Sequence, residues 1–151
     1  MNIQTAINKA NLNLKKKNIK SANIDSEILM SNVIKKDRNY ILMNLNKTLS
    51  KKDLENFYQL VKQREKGKPI AYLTGKKDFW KYEFEVSKDT LIPRPDSELI
   101  VEHILEFTKN RSKFNILDIG VGSGCLLLSV LKERPNFYGV GIDINQKCIS
   151  I

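Results

Sequence analysis

The chain has 151 residues, of which 41% are apolar and 28% charged, and its net charge at pH 7 is +9. This length and composition are typical of one domain, or two small ones, with a hydrophobic core. No apolar run reaches the roughly 18 residues of a membrane span, and polar residues interrupt the first apolar positions. We therefore expect a cytoplasmic protein with no signal peptide and no membrane contact.

The excess positive charge lies in the first half of the chain. Residues 1–70 hold 15 Lys and Arg against 6 Asp and Glu, whereas residues 71–151 hold 11 of each. A basic half joined to a neutral half indicates two modules. The basic half suits an acidic partner such as RNA or a ribosome surface, or it is a solvated lysine-rich surface, and the sequence leaves both interpretations open.

Residues 1–68 predict a small helical bundle. Apolar residues between Ile3 and Leu14 recur at the three- and four-residue spacing of an amphipathic helix. Asp25 stands where it can cap a second helix, which residues 35–37 end. Short connections between helices favour antiparallel neighbours, so we expect a bundle of that kind.

The same module continues with two further helices. Residues 39–45 predict one or two helical turns. Ser50 and Asp53 then stand at capping-box spacing ahead of a longer helix. Gly67 and Pro69 end that helix, because glycine favours the left-handed cap and proline does not continue the helical hydrogen bonds. The helical module is therefore expected to end at residue 68.

Residues 69–95 predict a β-hairpin followed by a connector. From residue 80 to residue 86, aromatic and apolar side chains alternate with charged ones, which is the period of a half-buried strand. Residues 88–89 offer a turn, and residues 90–92 are expected to return antiparallel. The Pro-Arg-Pro sequence at residues 93–95 ends the strand and directs the chain onward.

Residues 96–151 predict alternating helices and strands. The predicted elements are a helix over 97–107 capped by Asp96, a strand over 114–117, a helix over 125–131, a strand over 137–142 and a further helix from Asn145. Both strands are short and apolar, as strands covered on both faces are. The order strand, helix, strand predicts a parallel crossover unit.

A glycine-rich turn follows the first of these strands. Asp118 closes the strand, and Gly120, Gly122 and Gly124 come directly after it. Such a turn, where strand becomes helix, suits a polar ligand group because glycines leave its path clear. Asp143 closes the next strand, where a carboxylate can accept both hydroxyls of a ribose. Together these residues predict a site for an adenosine-containing cofactor.

The details of the turn favour S-adenosylmethionine over a dinucleotide. Cys125 stands where the dinucleotide fingerprint has its third small residue. Asp118 has no use beside a pyrophosphate, whereas it can meet the ammonium group of a methionine. No Gly-Lys-Ser or Gly-Lys-Thr follows the turn, which excludes a P-loop.

The cysteines and the single histidine predict no metal site. Cys125 and Cys148 lie in apolar stretches without paired-thiol spacing, so we expect two buried free thiols. His103 has no second imidazole to work with and is expected to be a surface or packing residue. A serine or cysteine triad lacks a base for the same reason.

Several segments resemble the release factor glutamine methyltransferase (PrmC/HemK) family. The sequence TLIPRPDSE at residues 90–98 is followed by ILDIGVGSGC at residues 116–125, and that pairing is much more specific than either piece. PIAYLTG at residues 69–75 and DFW at residues 78–80 are also similar to the family. The resemblance implies an α+β chain of two modules: a helical bundle at 1–68, a hairpin linker at 69–95, and the start of a doubly wound α/β (Rossmann-like) methyltransferase domain at 96–151.

The resemblance also implies a reaction, a cofactor and a partner. The family methylates the side-chain nitrogen of the glutamine in the Gly-Gly-Gln loop of peptide-chain release factors, with S-adenosylmethionine as donor. Its helical bundle helps to bind the release factor, and a monomer is expected. Carried over by position, the cofactor residues are Asp118 for the methionine amino group, Gly120, Val121, Gly122, Ser123 and Gly124 for the loop, and Asp143 for the ribose.

Two features depart from the family pattern. Val121 stands where the family more often has threonine, and Ser97 replaces a threonine after the Pro-Arg-Pro segment. The Asn-Pro-Pro-Tyr motif that binds the target amide is expected beyond residue 151. No catalytic residue is therefore expected in this chain, and we expect these 151 residues alone not to transfer methyl groups.

Two other classes of function stay open at this point. One is a methyltransferase that acts on another protein glutamine or on a nucleic-acid amino group. The other is a non-catalytic module that binds RNA or the ribosome through its basic half.

Overall fold

The computed structural model describes residues 1–148 of the chain. The chain divides into two compact units, one spanning Met1–Thr74 and the other beginning at Gly75, and each is described by itself. Among the described residues, no helix has the length and apolar character needed to cross a membrane. The predicted division at residues 68 and 95 stays a prediction about functional modules.

The first unit is built from helices, as the sequence predicts. They are α1 (Ile3–Lys16), α2 (Ala22–Ile34), α3 (Arg38–Met43), α4 (Lys51–Glu65) and α5 (Ile70–Thr74). Ser50 caps α4 as predicted, because its hydroxyl accepts the amide of Asp53 at 3.0 Å and donates to the Asp53 carboxylate at 2.7 Å. The short helix α5 lies where a connector was expected.

Asp25 does not cap the second helix, and that prediction is wrong. Helix α2 begins at Ala22, so Asp25 lies within its first turn and is buried. Its carboxylate accepts the Ser21 hydroxyl at 2.9 Å and forms an ion pair of 2.8 Å with Arg64 of α4. A buried carboxylate needs such partners, and only the packing of α2 on α4 supplies the arginine.

The core of the first unit is one cluster of fully or almost fully buried apolar side chains. Its members are Ile3, Ala6, Ile7, Ala10, Leu14, Ala22, Leu29, Met30, Ile41, Phe57, Val61 and Leu73. They come from all five helices, and the predicted apolar stripe of α1 supplies the first five. The apolar periodicity of the sequence therefore locates this core correctly.

The second unit begins with an antiparallel hairpin of β1 (Lys76–Phe79) and β2 (Tyr82–Glu85). A strand was predicted at residues 80–86, and β2 lies there. Its partner is β1, which precedes it in the chain. The prediction that residues 90–92 return as the partner strand is wrong. Thr90 instead closes a turn, because its hydroxyl accepts the amide of Ser87 at 3.1 Å. The sequence of β1 is mostly charged, so alternation gave no sign of it.

The remaining elements form the predicted crossover. They are α6 (Glu98–Phe107), β3 (Asn115–Ile119), α7 (Cys125–Glu133) and β4 (Tyr138–Ile142), with β3 parallel to β4. Asp96 does not cap α6, because residues 95–97 form a single 3₁₀ turn ahead of the helix. After Asn145, residues 146–148 form a turn, and the rest of the helix predicted there lies outside the described residues.

The two strands β3 and β4 have one covered face and one open face. On the covered face, a Cβ at Gly139 would lie 2.7 Å from Leu127 and 2.9 Å from Leu131, so α7 packs directly on the sheet. The open face carries exposed apolar side chains, namely Leu117, Ile119, Tyr138, Val140 and Ile142. The glycine turn therefore lies at the carboxyl end of β3, and one face of this two-stranded sheet is exposed to solvent.

Candidate functional site

The turn between β3 and α7 depends on glycine at three positions. Gly120, Gly122 and Gly124 have φ angles of 87°, 53° and 75°, which L side chains rarely adopt. A Cβ at Gly120 would meet nothing within 4 Å, whereas one at Gly124 would lie 2.9 Å from Leu128. Open space therefore lies beside the start of the turn, and its end is packed against α7.

Backbone hydrogen bonds fasten this turn to the end of β4. The amides of Gly120 and Val121 both donate to the carbonyl of Ile142, at 2.8 and 3.0 Å. The side chain of Val121 covers Gly141, where a Cβ would lie 2.6 Å from it. The residue that departs from the family pattern is thus a packing residue between the turn and β4.

Asp143 is held in place by two amides. Its Oδ2 accepts from Gly122 at 2.9 Å and its Oδ1 from Asn145 at 2.8 Å. The Asn145 amide, and then the Gly122 amide, lower the pKa of this carboxyl below its usual value. Each oxygen keeps a further lone pair, so the ionised group can accept two more hydrogen bonds.

The pKa of the Asp118 carboxyl is shifted in the opposite direction to that of Asp143. Asp118 is the penultimate residue of β3, beside Gly141 of β4, it is half-buried, and no donor among residues 1–148 hydrogen-bonds to its side chain. Burial raises the pKa of its carboxyl, and the charge of Asp143 raises it further. A cation placed beside Asp118 would remove both penalties, because it would compensate the lost hydration and screen the neighbouring carboxylate.

The other predicted side chains lie near the turn or on the surface. Burial raises the pKa of the Cys125 thiol, although a hydrogen bond with Ser123 acts in the opposite direction. Cys125 and Cys148 are both free as expected, but only Cys148 is buried and Cys125 is half-buried. Cys148 donates to the carbonyl of Asp89 at 2.8 Å. His103 is exposed. Within residues 1–148, no cluster of His, Cys, Asp or Glu has the make-up of a metal site.

The structure adds two anchoring carboxylates that the sequence did not indicate. Glu133 at the end of α7 accepts from Trp80 Nε1 at 3.1 Å and from the Tyr82 hydroxyl at 3.2 Å, and it pairs with Lys81 at 2.8 Å. Glu98 accepts the backbone amide of Trp80 at 2.9 Å. These contacts join residues about 18 and 50 positions apart, so no local pattern could have revealed them.

Comparison with known proteins is consistent with this arrangement. The sequence model of the PrmC N-terminal domain family matches residues 5–75. A release factor glutamine methyltransferase of Buchnera aphidicola subsp. Baizongia pistaciae is 41% identical over 151 residues, which is all of this chain and 54% of that protein. The whole chain is thus similar to release factor glutamine methyltransferases, and residues 5–75 match the N-terminal domain of that family.

Other relatives show the same similarity. A release factor glutamine methyltransferase of Aliivibrio fischeri is 36% identical over 87% of this chain and 46% of its own length. A protein named bifunctional methyltransferase from Rickettsia typhi is 34% identical over 99% of this chain and 32% of its own length. The chain thus spans from a third to about half of the length of the curated relatives it matches.

The similarity to release factor glutamine methyltransferases gives the site a context. All seven predicted cofactor residues lie between Asp118, the penultimate residue of β3, and Asp143, which directly follows β4. The structure joins Gly122 to Asp143 directly and places Gly120 and Val121 against the last residue of β4. Their roles toward a ligand stay predictions.

Proposed function

We propose that this chain belongs to an enzyme that methylates the side-chain nitrogen of the glutamine in the Gly-Gly-Gln loop of peptide-chain release factors, with S-adenosylmethionine as donor. One observation carries the proposal. Two carboxylates flank one glycine turn and differ in their environment: Asp143 accepts two hydrogen bonds that favour its ionised form, whereas Asp118 has no hydrogen-bond partner among residues 1–148. A ligand with a cation at one end and hydroxyls at the other complements both.

Asp118 would hold the ammonium group of the methionine moiety. A half-buried carboxylate with a raised pKa gains from a cation both an electrostatic partner and hydrogen-bond donors. The space beside Gly120 leaves room for the ligand to approach the backbone. These features fit the amino-acid end of S-adenosylmethionine.

Asp143 would accept the two ribose hydroxyls. The amides of Gly122 and Asn145 already orient its carboxylate, so little reorganisation accompanies ligand binding. Because Gly122 belongs to the turn, the same hydrogen bond fixes the distance between the turn and the ribose site. When bound, S-adenosylmethionine supplies a methyl group on a positively charged sulfur.

The acceptor side of the reaction is a proposal for the whole protein. An amide nitrogen is a poor nucleophile, and it has to be held in line with the methyl group in a site that excludes water. The Asn-Pro-Pro-Tyr motif implied by the family resemblance would supply the acceptors that orient it. A doubly wound, Rossmann-like sheet continuing from β3 and β4, a cytoplasmic location and a monomeric state are parts of the same proposal.

The basic first unit favours a nucleic acid as an additional or alternative partner. Lys36 and Lys47 place their ammonium groups 5.6 and 5.5 Å from the ring centre of Tyr40. Cations around an aromatic ring suit both phosphate and base contacts. Binding of ribosomal RNA that weakens steeply with salt would support this partner, and methylation of an RNA amino group would replace the release factor as substrate.

Titration of the chain with S-adenosylmethionine tests the proposal. We expect the NMR amide signals of Gly120, Gly122 and Gly124 to shift, and Asp118→Asn to weaken the affinity by ~10–100-fold, because a hydrogen-bonded ion pair is lost. The thermal midpoint of Asp118→Asn should stay equal or rise, because ionised Asp118 is unfavourable in the free protein. Asp96→Asn, at an exposed position, is the matched control and should change neither property.

The pH dependence provides a second readout. A raised pKa means that Asp118 is protonated on acidification before an ordinary aspartate with its pKa of about 3.9. The affinity should therefore fall at a higher pH than that value, and Asp118→Asn should lose this dependence. If the wild-type chain gives no glycine shifts at millimolar S-adenosylmethionine, the proposed cofactor site is wrong.

A further inference from the structure

The outer edge of β2 carries backbone groups that no other strand within residues 1–148 pairs with. In the hairpin, the amide of Val86 donates to the carbonyl of Gly75 at 2.9 Å, so these two residues form a hydrogen-bonded pair. Because such pairs alternate along an antiparallel ladder, Phe84 and Tyr82 point their backbone groups toward β1. Glu83 and Glu85 therefore direct theirs outward, and no backbone group among residues 1–148 pairs with them there.

A cavity lies directly beside that edge. It has a volume of about 410 Å³ and is lined by Tyr82, Glu83, Phe84, Glu85, Ser123, Leu128, Leu131 and Lys132. Every residue of β2 takes part and no residue of β1 does, so the cavity adjoins the outer edge only. Its apolar wall comes from α7, where Leu128 is 47% exposed although it is a large apolar residue.

The cavity continues to the glycine turn, because Ser123 belongs to both. A chain lying along β2 therefore passes from the hairpin toward the proposed cofactor site. A bound small molecule would leave the row of outward amides and carbonyls unused. An extended peptide uses them, because it can donate to and accept from Glu83 and Glu85 as an added strand does.

The charges at the edge indicate what such a peptide carries. The side chains of Glu83 and Glu85 both point to solvent. The ammonium group of Lys132 instead lies 4.3 Å from the ring centre of Tyr82. Lys76 of β1 forms an ion pair with Glu83 and lies opposite Glu85, so one cation faces two carboxylates and the edge keeps a net negative charge that attracts a further cation. Basic side chains opposite the glutamates and an apolar side chain in the cavity complement this surface.

We propose that the outer edge of β2 binds an extended segment of the protein substrate as a third strand, with an apolar side chain of that segment in the cavity beside Leu128. This inference rests on the proposed function, since the substrate is taken to be a release factor. The added strand would align the segment with the glycine turn, and main-chain hydrogen bonds would supply affinity that depends little on sequence.

Amide hydrogen exchange measured by NMR tests the added strand. We expect a bacterial release factor to slow exchange at Glu83 and Glu85, whose amides point outward, by ~10-fold or more. The amide of Phe84 is already bonded to β1 and serves as the internal control. Binding of the release factor with unchanged exchange at Glu83 and Glu85 would overturn the inference and leave the proposed function intact.

Two proline variants distinguish the outer edge of β2 from the outer edge of β1. Glu83→Pro removes an outward amide without breaking the ladder to β1, and it should weaken release-factor binding by about 5–10-fold. Asp78 is the register partner of Glu83, so Asp78→Pro makes the same change on the outer edge of β1 and should have no effect on binding. Glu83→Gln keeps the amide and separates the loss of charge from the loss of the donor. Equal weakening by the two proline variants would contradict the proposal.

The cavity has its own test. Leu128→Asp should weaken release-factor binding by about tenfold, because the apolar side chain of the substrate would then face a charge. Leu99→Asp, at a residue of α6 that is 57% exposed, is the matched control and should not change binding. S-adenosylmethionine titration of Glu83→Pro should give the wild-type affinity, which distinguishes failure of the edge from failure of the cofactor site. Protection of Glu83 that depends on protein concentration alone would show a second copy of the chain as the occupant and overturn the proposal.

Discussion

The two units of the molecule are stabilised in different ways. The helical unit has a continuous apolar core to which all five helices contribute, and its main buried polar contact is the ion pair of Asp25 with Arg64. The second unit has a smaller core around Phe79 and Phe84 and relies on Glu98 and Glu133 to hold its hairpin. An apolar sheet face remains exposed there. The glycine turn thus lies in the unit with the less complete packing.

The largest effect is expected from a core truncation in the helical unit. Phe57 is fully buried within the cluster of that unit. Phe57→Ala should lower the free energy of unfolding by about 3–5 kcal/mol, because it removes a ring and leaves a cavity. Urea denaturation followed by far-UV circular dichroism measures this change. Leu12→Ala, at a position of α1 that is 60% exposed, is the control and should cost less than about 0.5 kcal/mol.

An intermediate effect is expected from removing the anchor of the hairpin. Glu133→Ala deletes the acceptor of Trp80 and Tyr82 and the partner of Lys81. Because Trp80 is the only tryptophan of the chain, its fluorescence reports this site alone, and emission should move to longer wavelength as the ring gains water. The thermal midpoint should fall by a few degrees. Glu133→Gln keeps an acceptor and should give a smaller change, whereas Glu106→Ala on the surface should give none.

Acidification should release the same anchor at a predictable pH. The pKa of Glu133 is lowered first by its hydrogen bond with Lys81 and then by that with Trp80. A lowered carboxyl pKa contributes stability above the unfolded value of about 4.3, and this contribution is lost as the pH falls through the folded value. The emission of Trp80 in the wild type should therefore stay constant down to about pH 4 and shift only below it. A shift beginning near neutral pH would mean that Glu133 does not hold the ring.

The smallest effect is expected on the open face of the sheet. Ile119 is 76% exposed, so Ile119→Thr should change the free energy of unfolding by no more than about 0.5 kcal/mol. Ile116 lies on the same strand with the opposite orientation and packs against the core, so Ile116→Thr should cost clearly more. Equal costs would show that the open face is covered in solution. Sedimentation of the wild type at rising concentration would then identify self-association as the cause.

The helices and the crossover were predictable because their signals are local. The apolar stripe of α1, the capping box of Ser50 and Asp53, and the strand β3 are each encoded by residues a few positions apart. The same holds for the glycine turn, since three residues with positive φ are most readily glycine. The predicted caps at Asp25 and Asp96 were wrong, because a carboxylate at a helix start has several partners available to it.

The sequence by itself determined where the helices form, where the glycine turn lies and which carboxylates close the two parallel strands. Only the tertiary structure decided that β2 pairs with the charged segment before it, that Glu133 anchors Trp80, and that Asp143, unlike Asp118, is hydrogen-bonded within the described part of the chain. The physical reason is the distance along the chain over which each signal acts. Periodicity and capping act within one or two helical turns, whereas strand pairing and the environment of a carboxylate depend on residues brought together from distant parts of the chain.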